Sequence, residues 1–348
     1  MSENSEVTIF DVAEAAGVSI TTVSRILNNK PDVAESTRQR VQKVIDELGF
    51  IPHAQAQRLA SRKSRTIALL FPLERAVSPL EQDFIVGGAA AAGEENFFFN
   101  FITAPITESS LLNLYRSAQV DGIILMEIHL DDWRVKLLRD NDFPFVMIGR
   151  CADNEGLNFV DLDFDAAIVT AFDHLVELGH RQIGFLALPA HMREQQYGPA
   201  IRSLTGYERA RQKHGLDVRI WEVNIAVEDM FEATLDILDE QPDLTALVAM
   251  QGSPTVGVIR ALRQAGRTVP DDFSVVGFAT ANVAELITPP LTVIDFPAFT
   301  MGYQAAKMLI DQINKNSVEN GQILLPSELI VRKSTKPINA VISDSGEG

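Results

Sequence analysis

Several polar side chains lie close together between residues 20 and 28, where the pattern predicts a short helix with Ser19 as its N-cap. Val23, Ile26 and Leu27 would point inward, which leaves a polar face outward. Hydroxyl groups suit phosphates, and a guanidinium can donate two parallel hydrogen bonds to a guanine edge. A generic three-helix bundle is the alternative, but the exposed polar set favours a DNA-reading helix. That set is Thr21, Thr22, Ser24 and Arg25.

Two neighbouring helices are expected to hold this polar helix in place. The first runs from residue 9 to about residue 16, because Thr8 and Asp11 form a capping-box pattern and Gly17 supplies a turn. The third spans residues 35–48. Two helices joined by such a short turn form a helix-turn-helix. The inward side chains of the first and third helices are predicted to be Val12, Ala15, Ala16, Val41, Val44, Ile45 and Leu48.

The charge of the chain is distributed unevenly, which matters because a net charge of −17 argues against DNA binding. Residues 1–65 hold nine Lys/Arg and eight Asp/Glu, whereas residues 66–348 hold 21 and 39. The acidity therefore belongs to the large C-terminal part. Residues 53–65 are free of acidic side chains and carry four cations, a stretch that can meet phosphates. These cations are Arg58, Arg62, Lys63 and Arg65.

From residue 66 onward, apolar runs alternate with helical patterns, which predicts parallel sheets built from right-handed βαβ units. Because 283 residues exceed a typical single domain, two α/β lobes are expected. The predicted strands are 66–71, 97–102, 122–126, 145–148, 182–186, 246–250 and 274–276. The predicted helices are 84–95, 132–141, 166–178, 203–214, 229–240, 254–265 and 301–314.

No pattern of enzyme chemistry stands out in the sequence. Cys151 is the single cysteine, so an internal disulfide is excluded and a reducing cytoplasm fits. His174 and His180 lie six residues apart, which is not the one-face spacing of a metal pair, and His180 is expected to cap a helix end. We therefore expect no metal, no cofactor and no catalytic residue. The polar, acidic N-terminus is unlike a secretory signal, and no apolar run is long enough to span a membrane.

The chain resembles the lactose/galactose-repressor (LacI/GalR) family over nearly its full length. The resemblance is carried at the N-terminus by residues 8–19, 22–28, 37–38, 41 and 48–52, and at 56–60 by Ala-Gln-Arg-Leu-Ala. Further matches include residues 121–124, 148–150, 178–183, 206–207, 269–272, 275–278 and 290–292. The resemblance implies a small all-α helix-turn-helix domain followed by a two-lobed α/β domain of the periplasmic-binding-protein-like (type I) fold with parallel sheets.

The resemblance also implies roles for individual residues on DNA. Ile20, Thr21 and Arg25 would contact bases in the major groove, and Thr22, Ser24 and Asn28 would hold phosphates. Residues 53–65 would act as a hinge or remain a linker, because a helix in this segment would not be stable alone. Within it, Leu59 would wedge into the minor groove. The small residues Ala56 and Ala60 would permit the close approach. Because two hinges serve one palindromic operator, a homodimer is expected.

Domain boundaries follow from the same resemblance. Residues 1–52 would be the DNA-binding headpiece, and residues 53–65 the hinge helix and linker. Residues 66–348 would bind an effector and dimerise, with an N-lobe of about 66–163 and 295–324 and a C-lobe of about 164–294 and 325–340. The polar C-terminus has no leucine heptads, so a dimer is expected rather than a tetramer.

A small-molecule effector is expected in the cleft between the lobes. Sugar-binding members commonly have Asn-Asp where this chain has Gln251-Gly252, and an acidic residue where it has Ala279. Paired carboxylates suit vicinal hydroxyls, and this chain lacks them at both positions. An ordinary neutral hexose is therefore disfavoured, and we expect a sugar or a sugar-like effector of an atypical kind. Phe296 can stack on a ring or pack in the core, and Arg202 can bind an anion or form a salt bridge between the lobes. The candidate effector contacts are Arg202, Phe296, Gln251, Asp163, Leu80, Gln196 and Ala279.

The sequence therefore predicts a cytoplasmic, effector-controlled transcriptional repressor that is not an enzyme. Two alternatives are a solute-binding protein of transport, which would have a secretory signal and no helix-turn-helix, and an enzyme with an attached DNA-binding unit, which would have a catalytic constellation. Closure of the cleft by effector would change the spacing of the two hinges and so the affinity for operator.

Overall fold

A computed structural model of the chain describes residues 7–27, 32–50, 64–71, 78–217, 219–315 and 321–338. Two units are present, Met1–Ser64 and Arg65–Gly348.

Three helices make up the described part of the N-terminal unit: α1 Ile9–Ala16, α2 Ile20–Leu27 and α3 Glu35–Leu48. All three confirm the predicted positions. Their shared core contains Val12, Val23, Val41 and Ile45, as the apolar spacing predicted. Two inward positions were predicted wrongly, because Ala15 is exposed and Leu48 is 38% exposed. Ala13 and Phe50 are buried instead; each lies within two residues of a wrongly predicted position.

Local polar contacts define the ends of these helices. The backbone N–H and the hydroxyl of Thr8 both donate to Oδ2 of Asp11 at 2.7 Å, which fixes the start of α1. Gly17 has a φ of 64°, the left-handed conformation that lets the chain turn sharply after α1. Ser19 Oγ then accepts a hydrogen bond from the backbone N–H of Thr22 at 3.1 Å, as predicted for the cap of α2.

The larger unit is built on two six-stranded sheets. The N-lobe sheet has the order β11-β5-β4-β3-β1-β2 and is parallel throughout. The C-lobe sheet has the order β12-β10-β9-β8-β6-β7 and is parallel except for its edge strand β12, which pairs antiparallel with β10. The strands are β1 Thr66–Leu70, β2 Phe98–Ile102, β3 Gly122–Leu125, β4 Phe145–Ile148, β5 Phe159–Leu162, β6 Ile183–Ala187, β7 Ile220–Glu222, β8 Ala246–Ala249, β9 Ser274–Ala279, β10 Thr292–Asp295, β11 Gln322–Leu325 and β12 Glu328–Ile330.

Helices cover both faces of each sheet, which explains why the central strands are buried at every position. In the C-lobe, Phe185 and Leu186 are consecutive in β6 and enter two different hydrophobic clusters, one on each face. The N-lobe repeats this arrangement with Ile67 and Ala68 of β1. The helices are α4 Pro79–Glu94, α5 Glu108–Arg116, α6 Trp133–Asp140, α7 Phe164–Glu177, α8 Ala190–Glu194, α9 Gly198–His214, α10 Val227–Glu240, α11 Thr255–Gln264, α12 Ala281–Leu286 and α13 Ala298–Asn314.

The chain passes between the lobes three times. The first crossing lies between β5 and α7, where Asp163 accepts a hydrogen bond from the N–H of Ala166 at 3.2 Å. The second follows β10, which ends at Asp295, and the third follows β11, which ends at Leu325. Helix α13 therefore packs in the N-lobe, beside α4, although it follows a C-lobe strand.

His180 caps the end of α7 with its backbone N–H, as the sequence predicted, because this N–H donates to the carbonyl oxygen of Leu175 at 3.0 Å. The contacts of its side chain were not predicted. Its ring is buried and lies 2.9 Å from the hydroxyl of Thr245 and 3.0 Å from that of Ser274. Its Nε2 also lies 3.1 Å from the carbonyl oxygen of Lys336. The imidazole therefore joins the start of β9 to the described C-terminal segment, a long-range role that local sequence cannot reveal.

Candidate nucleic-acid interface and ligand cavity

Helix α2 presents a polar face to solvent because its apolar face is anchored. Val23 is fully buried and Ile26 is 3% exposed, so the opposite side of the helix faces outward. Ile20 is 39% exposed, and Thr21 and Arg25 are exposed with it. These three are the predicted base-contacting residues, and the structure brings them to one surface.

The guanidinium of Arg25 has a partner that sequence reasoning missed. Its Nη2 lies 2.7 Å from Oδ2 of Asp32, and about half of each side chain is exposed. An exposed ion pair of this kind is weak, because water screens it and two side chains lose freedom. Arg25 can therefore exchange Asp32 for a stronger hydrogen-bonding partner.

The predicted phosphate-contacting residues are only partly described. Thr22 and Ser24 are partly exposed, and the hydroxyl of Thr22 lies 2.9 Å from that of Ser19, so it also takes part in the cap of α2. The remaining predicted DNA contacts lie outside the described residues, and they are Asn28, Ala56, Leu59 and Ala60.

A cavity of about 450 Å³ opens where the carboxyl ends of strands from both sheets meet. This is the edge at which open parallel sheets bind ligands. Phe71 and Met126 line it from the ends of β1 and β3, and Met250, Ala279 and Phe296 line it from the ends of β8, β9 and β10. Both lobes therefore contribute walls to one cavity.

Three aromatic rings form a cluster against this cavity. Phe296 lies at the second crossing, with its ring centroid 5.9 Å from Phe84 of α4 and 5.8 Å from Phe164 of α7. All three rings line the cavity. The two interpretations of Phe296 are thus compatible, because the ring packs in the core and presents a surface to the cavity.

Two buried polar side chains line the cavity from neighbouring C-lobe strands. Gln251 follows β8 and Thr280 follows β9, and these strands are directly paired. Within the described part of the chain, neither Gln251 Oε1 nor Thr280 Oγ1 has a hydrogen-bond partner. Thr280 was missed because the predicted strand ended at residue 276; β9 extends to Ala279 and brings the next residue to the cavity.

Asp161 contributes a carboxylate that is already paired. Its Oδ2 accepts from Nε of Arg150 at 3.0 Å, and its Oδ1 accepts from the N–H of Leu162 at 2.9 Å. Burial raises the pKa of Asp161 to about 6, and the charges of Arg202 and Arg150 oppose that rise only in part.

The predicted effector contacts separate into two groups. Leu80, Gln251, Ala279 and Phe296 line the cavity. Asp163, Gln196 and Arg202 lie outside its lining. Asp163 caps α7, the carbonyl of Gln196 accepts from the N–H of Leu130 at 2.9 Å, and Arg202 donates to the carbonyl oxygens of Arg150 and Cys151.

These last two contacts belong to a row of hydrogen bonds between the lobes, which we call the interlobe seam. In the seam, Nδ1 of His129 lies 2.6 Å from the carbonyl oxygen of Gln195, and the N–H of Gly198 donates to the carbonyl of Ile128 at 3.0 Å. The Arg202 contacts measure 3.0 and 3.1 Å. The seam borders the cavity, since Ile128 also lines it.

Neither a metal centre nor an activated thiol is present in the described parts of the chain. No group of three or more His, Cys, Asp or Glu residues there could hold a metal ion. Cys151 is buried, and this burial, together with the charge of Asp132, raises its pKa to about 11, which disfavours the nucleophilic thiolate. Among the described helices, none has the length and apolar character that a membrane crossing requires.

Comparison with known proteins gives similarity along nearly the whole chain. Residues 8–53 match the family described as "Bacterial regulatory proteins, lacI family", and residues 172–335 match the "Periplasmic binding protein-like domain". The HTH-type transcriptional regulator CelR of Thermobifida fusca is 32% identical over 333 residues, which cover 93% of this chain and 96% of CelR.

Solved structures are similar over the same extent. The structure of the Lac repressor dimer bound to operator and the anti-inducer ONPF matches with a TM-score of 0.81 and 26% identity, covering 95% of this chain and all of that one. The transcriptional regulator CelR–cellobiose complex matches with a TM-score of 0.69 and 30% identity, covering 94% of this chain and 99% of that one.

Proposed function

The chain belongs to the lacI family of DNA-binding transcriptional regulators, and we propose that it represses transcription by binding a palindromic operator as a homodimer. Its curated relatives are regulators rather than enzymes. A protein that acts on the cell's own DNA works in the cytoplasm, which is the compartment we assign to it.

The observation that carries this proposal is the outward face of α2. Val23 and Ile26 anchor the helix, and Ile20, Thr21 and Arg25 are exposed together on its other side. A guanidinium, a hydroxyl and an aliphatic side chain are the groups that read a guanine, a phosphate or polar base edge, and a thymine methyl. Thr22, Ser24 and Asn28 would hold the phosphates that set the register of the helix.

We assign residues 1–52 to the DNA-binding headpiece, 53–65 to the hinge and 66–348 to the effector-binding and dimerisation domain. In the hinge, Leu59 would enter the minor groove, and the small neighbouring residues Ala56 and Ala60 would permit the close approach. An apolar wedge unstacks one base step and bends the duplex, which lets two headpieces reach adjacent half-sites. The Lac repressor in its complex is a dimer on operator DNA, which supports this arrangement.

A small molecule in the cavity between the lobes would control DNA binding. The cavity takes walls from both lobes, so an occupant has different contacts when the lobes change their relative position. A ligand shifts an equilibrium only through such a difference in affinity. CelR forms a complex with cellobiose, which supports control by a small molecule.

Selection from a pool of random-sequence duplexes tests the proposed function. The full-length chain is expected to enrich an inverted repeat with two half-sites about one helical turn apart. Arg25→Ala is expected to lose the preference at one base position in each half-site. Lys43→Ala is the matched control, since it removes one exposed cation from α3, and it should enrich the same repeat. Enrichment of no common sequence by the unaltered chain would overturn the proposal.

A further inference from the structure

We propose that the cavity binds a ligand with a mainly apolar, ring-containing body and one hydrogen-bond donor group. This group would donate to Oε1 of Gln251 and Oγ1 of Thr280. This inference rests on the proposed function, because it assigns a chemical class to the effector of the same site. It departs from the expectation of an ordinary sugar, whose hydroxyl groups are distributed around the whole molecule.

The walls of the cavity favour an apolar body. Phe84, Phe164 and Phe296 offer three ring surfaces on one side. Met192 and Met250 lie in the lining of the C-lobe, and thioethers adapt their shape to flat rings. A hydroxyl group pressed against such walls would lose its hydrogen bonds to water and gain none in return.

Gln251 forms a polar end of the cavity. Its Nε2 donates to the carbonyl oxygen of Val223 at 3.1 Å, and because that oxygen can only accept, the amide orientation is determined. Oε1 therefore faces away from this contact as an acceptor. Gln251 is 4% exposed, and no described residue donates to Oε1. A buried acceptor without a donor is costly, so a ligand donor at this place is favoured.

Thr280 adds a second group at the same end. It is 7% exposed, its hydroxyl has no partner among the described residues, and it follows the strand directly paired with that of Gln251. Thr280 stands at the N-cap position of α12 without its side chain capping that helix. Its hydroxyl thus remains for a ligand that already donates to Gln251.

Three acidic residues line the cavity, Glu81, Glu127 and Asp161, and the carboxylates of Glu81 and Asp161 are engaged by the protein itself. Glu81 accepts from the N–H of Ser78 at 2.6 Å and from its hydroxyl, and Asp161 accepts from Arg150 and from the N–H of Leu162. Neither stands as the open carboxylate that grips vicinal hydroxyls. These two carboxylates therefore do not favour a ligand that carries a row of hydroxyls.

Fluorescence titration of the full-length chain with 1-aminoanthracene tests this assignment. The probe has an apolar three-ring body and one amine donor, and 1-methylanthracene is its donor-free counterpart. We expect saturable binding at one site per chain with blue-shifted emission, and tighter binding of the amine. Gln251→Met and Thr280→Val are expected to remove that preference, since each deletes an oxygen with little change in volume.

Aromatic truncation supplies a matched pair of variants. Phe296→Ala is expected to weaken 1-aminoanthracene binding by about ten-fold or more. Phe299→Ala should leave binding unchanged, because Phe299 is 46% exposed and lies outside the cavity lining. If Phe296→Ala fails to fold, the loss of donor preference in Gln251→Met still decides the question.

Cellobiose and ribose are the competing probes. We expect neither to displace 1-aminoanthracene at millimolar concentration. Displacement by either sugar at micromolar concentration, or absence of saturable probe binding, would overturn the inference. The titration contains no DNA. Failed probe binding beside an intact operator preference therefore rejects the ligand class alone, whereas saturable probe binding without any selected operator rejects the proposed function alone.

Discussion

Nη2 of Arg202 in α9 lies 3.0 Å from the backbone carbonyl oxygen of Arg150, so a C-lobe guanidinium holds an N-lobe loop. The same nitrogen donates to the carbonyl of Cys151 at 3.1 Å. Burial, and then the neighbouring charge of Arg150, lowers the pKa of Arg202 from its usual value. These contacts bring the guanidinium of Arg202 into the interlobe seam and give it a structural task at the border of the cavity.

Arg202→Met is expected to lower the free energy of unfolding by about 1–2 kcal/mol, because two carbonyl oxygens lose a charged donor. Urea unfolding measures this as a lower midpoint at unchanged slope. Arg211→Met on the same helix is the control. Its ion pair with Glu208 leaves more than two fifths of each side chain exposed, so the change should be within about 1 kcal/mol of zero. Equal effects of the two substitutions would contradict the role given to the seam.

Close packing of α4 against α13 gives a second prediction. A Cβ atom on Gly87 would overlap the carbonyl oxygen of Phe299, which is backbone and cannot rotate away. Gly87→Ala should therefore destabilise the chain by about 1–3 kcal/mol in urea unfolding. Gly93→Ala on the same helix meets nothing within 4 Å and should be neutral or stabilising by up to about 1 kcal/mol. Comparable losses at both positions would disprove the packing argument.

His180 makes the free energy of unfolding depend on pH, and the sign of this dependence follows from the burial of its ring. Burial lowers the pKa of His180 below its ordinary value of 6.5, and the charge of His174 acts in the same direction. The unfolded chain therefore takes up a proton first as the pH falls below 6.5. The contribution of the neutral His180 ring to the free energy of unfolding is complete above pH 6.5. It is lost as the pH falls towards the lowered pKa that His180 has in the folded chain.

Urea unfolding of the unaltered chain and of His180→Gln, between about pH 8 and about pH 5, measures this effect. The unaltered chain should lose more stability on acidification than the variant. Some loss should remain in the variant, because burial also lowers the pKa of His174. His191→Gln, at an exposed position, should keep the full pH dependence. Parallel pH profiles for the unaltered chain and His180→Gln would exclude His180 as the source.

Periodicity and capping were sufficient to predict the helices of the N-terminal unit and the three strands at the centre of each sheet, which are β1, β3 and β4 in one and β6, β8 and β9 in the other. Thr8, Asp11, Gly17 and Ser19 act within a few residues of themselves, so their patterns predicted helix ends correctly. Central strands are buried on both faces and read as continuous apolar runs. The same reasoning failed for five strands, of which β7 and β12 are only three residues long and β11 alternates between exposed and partly buried.

The cavity was predictable only in part, because its lining comes from distant parts of the chain. The resemblance was sufficient to place three residues at the cavity, because it locates them near a strand end or at a crossing between the lobes. These residues are Gln251, Ala279 and Phe296. The paired states of Asp161 and Arg202 could not be predicted, because they depend on Arg150, which is separated from Arg202 by 52 residues. The ring contacts of His180 were missed for the same reason: its partner Ser274 lies 94 residues away.

The Arg25–Asp32 ion pair predicts an effect on DNA affinity. Asp32→Asn removes the competing carboxylate and one negative charge near the outward face of α2. Binding to a selected operator should tighten by up to about five-fold in fluorescence anisotropy, since an exposed pair contributes at most about 1 kcal/mol. Asp46→Asn on α3 removes an equal charge elsewhere in the unit and serves as control. Weaker operator binding by Asp32→Asn would mean that Asp32 orients Arg25 instead of competing with DNA.

Fluorescence anisotropy on the selected operator and a scrambled duplex, with unaltered chain, Arg25→Ala and Lys43→Ala at one salt concentration, tests the central claim most directly. Base contacts specify and phosphate contacts only position, so the two duplexes separate the effects. We predict that Arg25→Ala weakens operator binding by about ten-fold or more while hardly changing scrambled-duplex binding, and that Lys43→Ala preserves the preference. Equal affinity of the unaltered chain for both duplexes, or equal loss on both in Arg25→Ala, would contradict a DNA-reading α2.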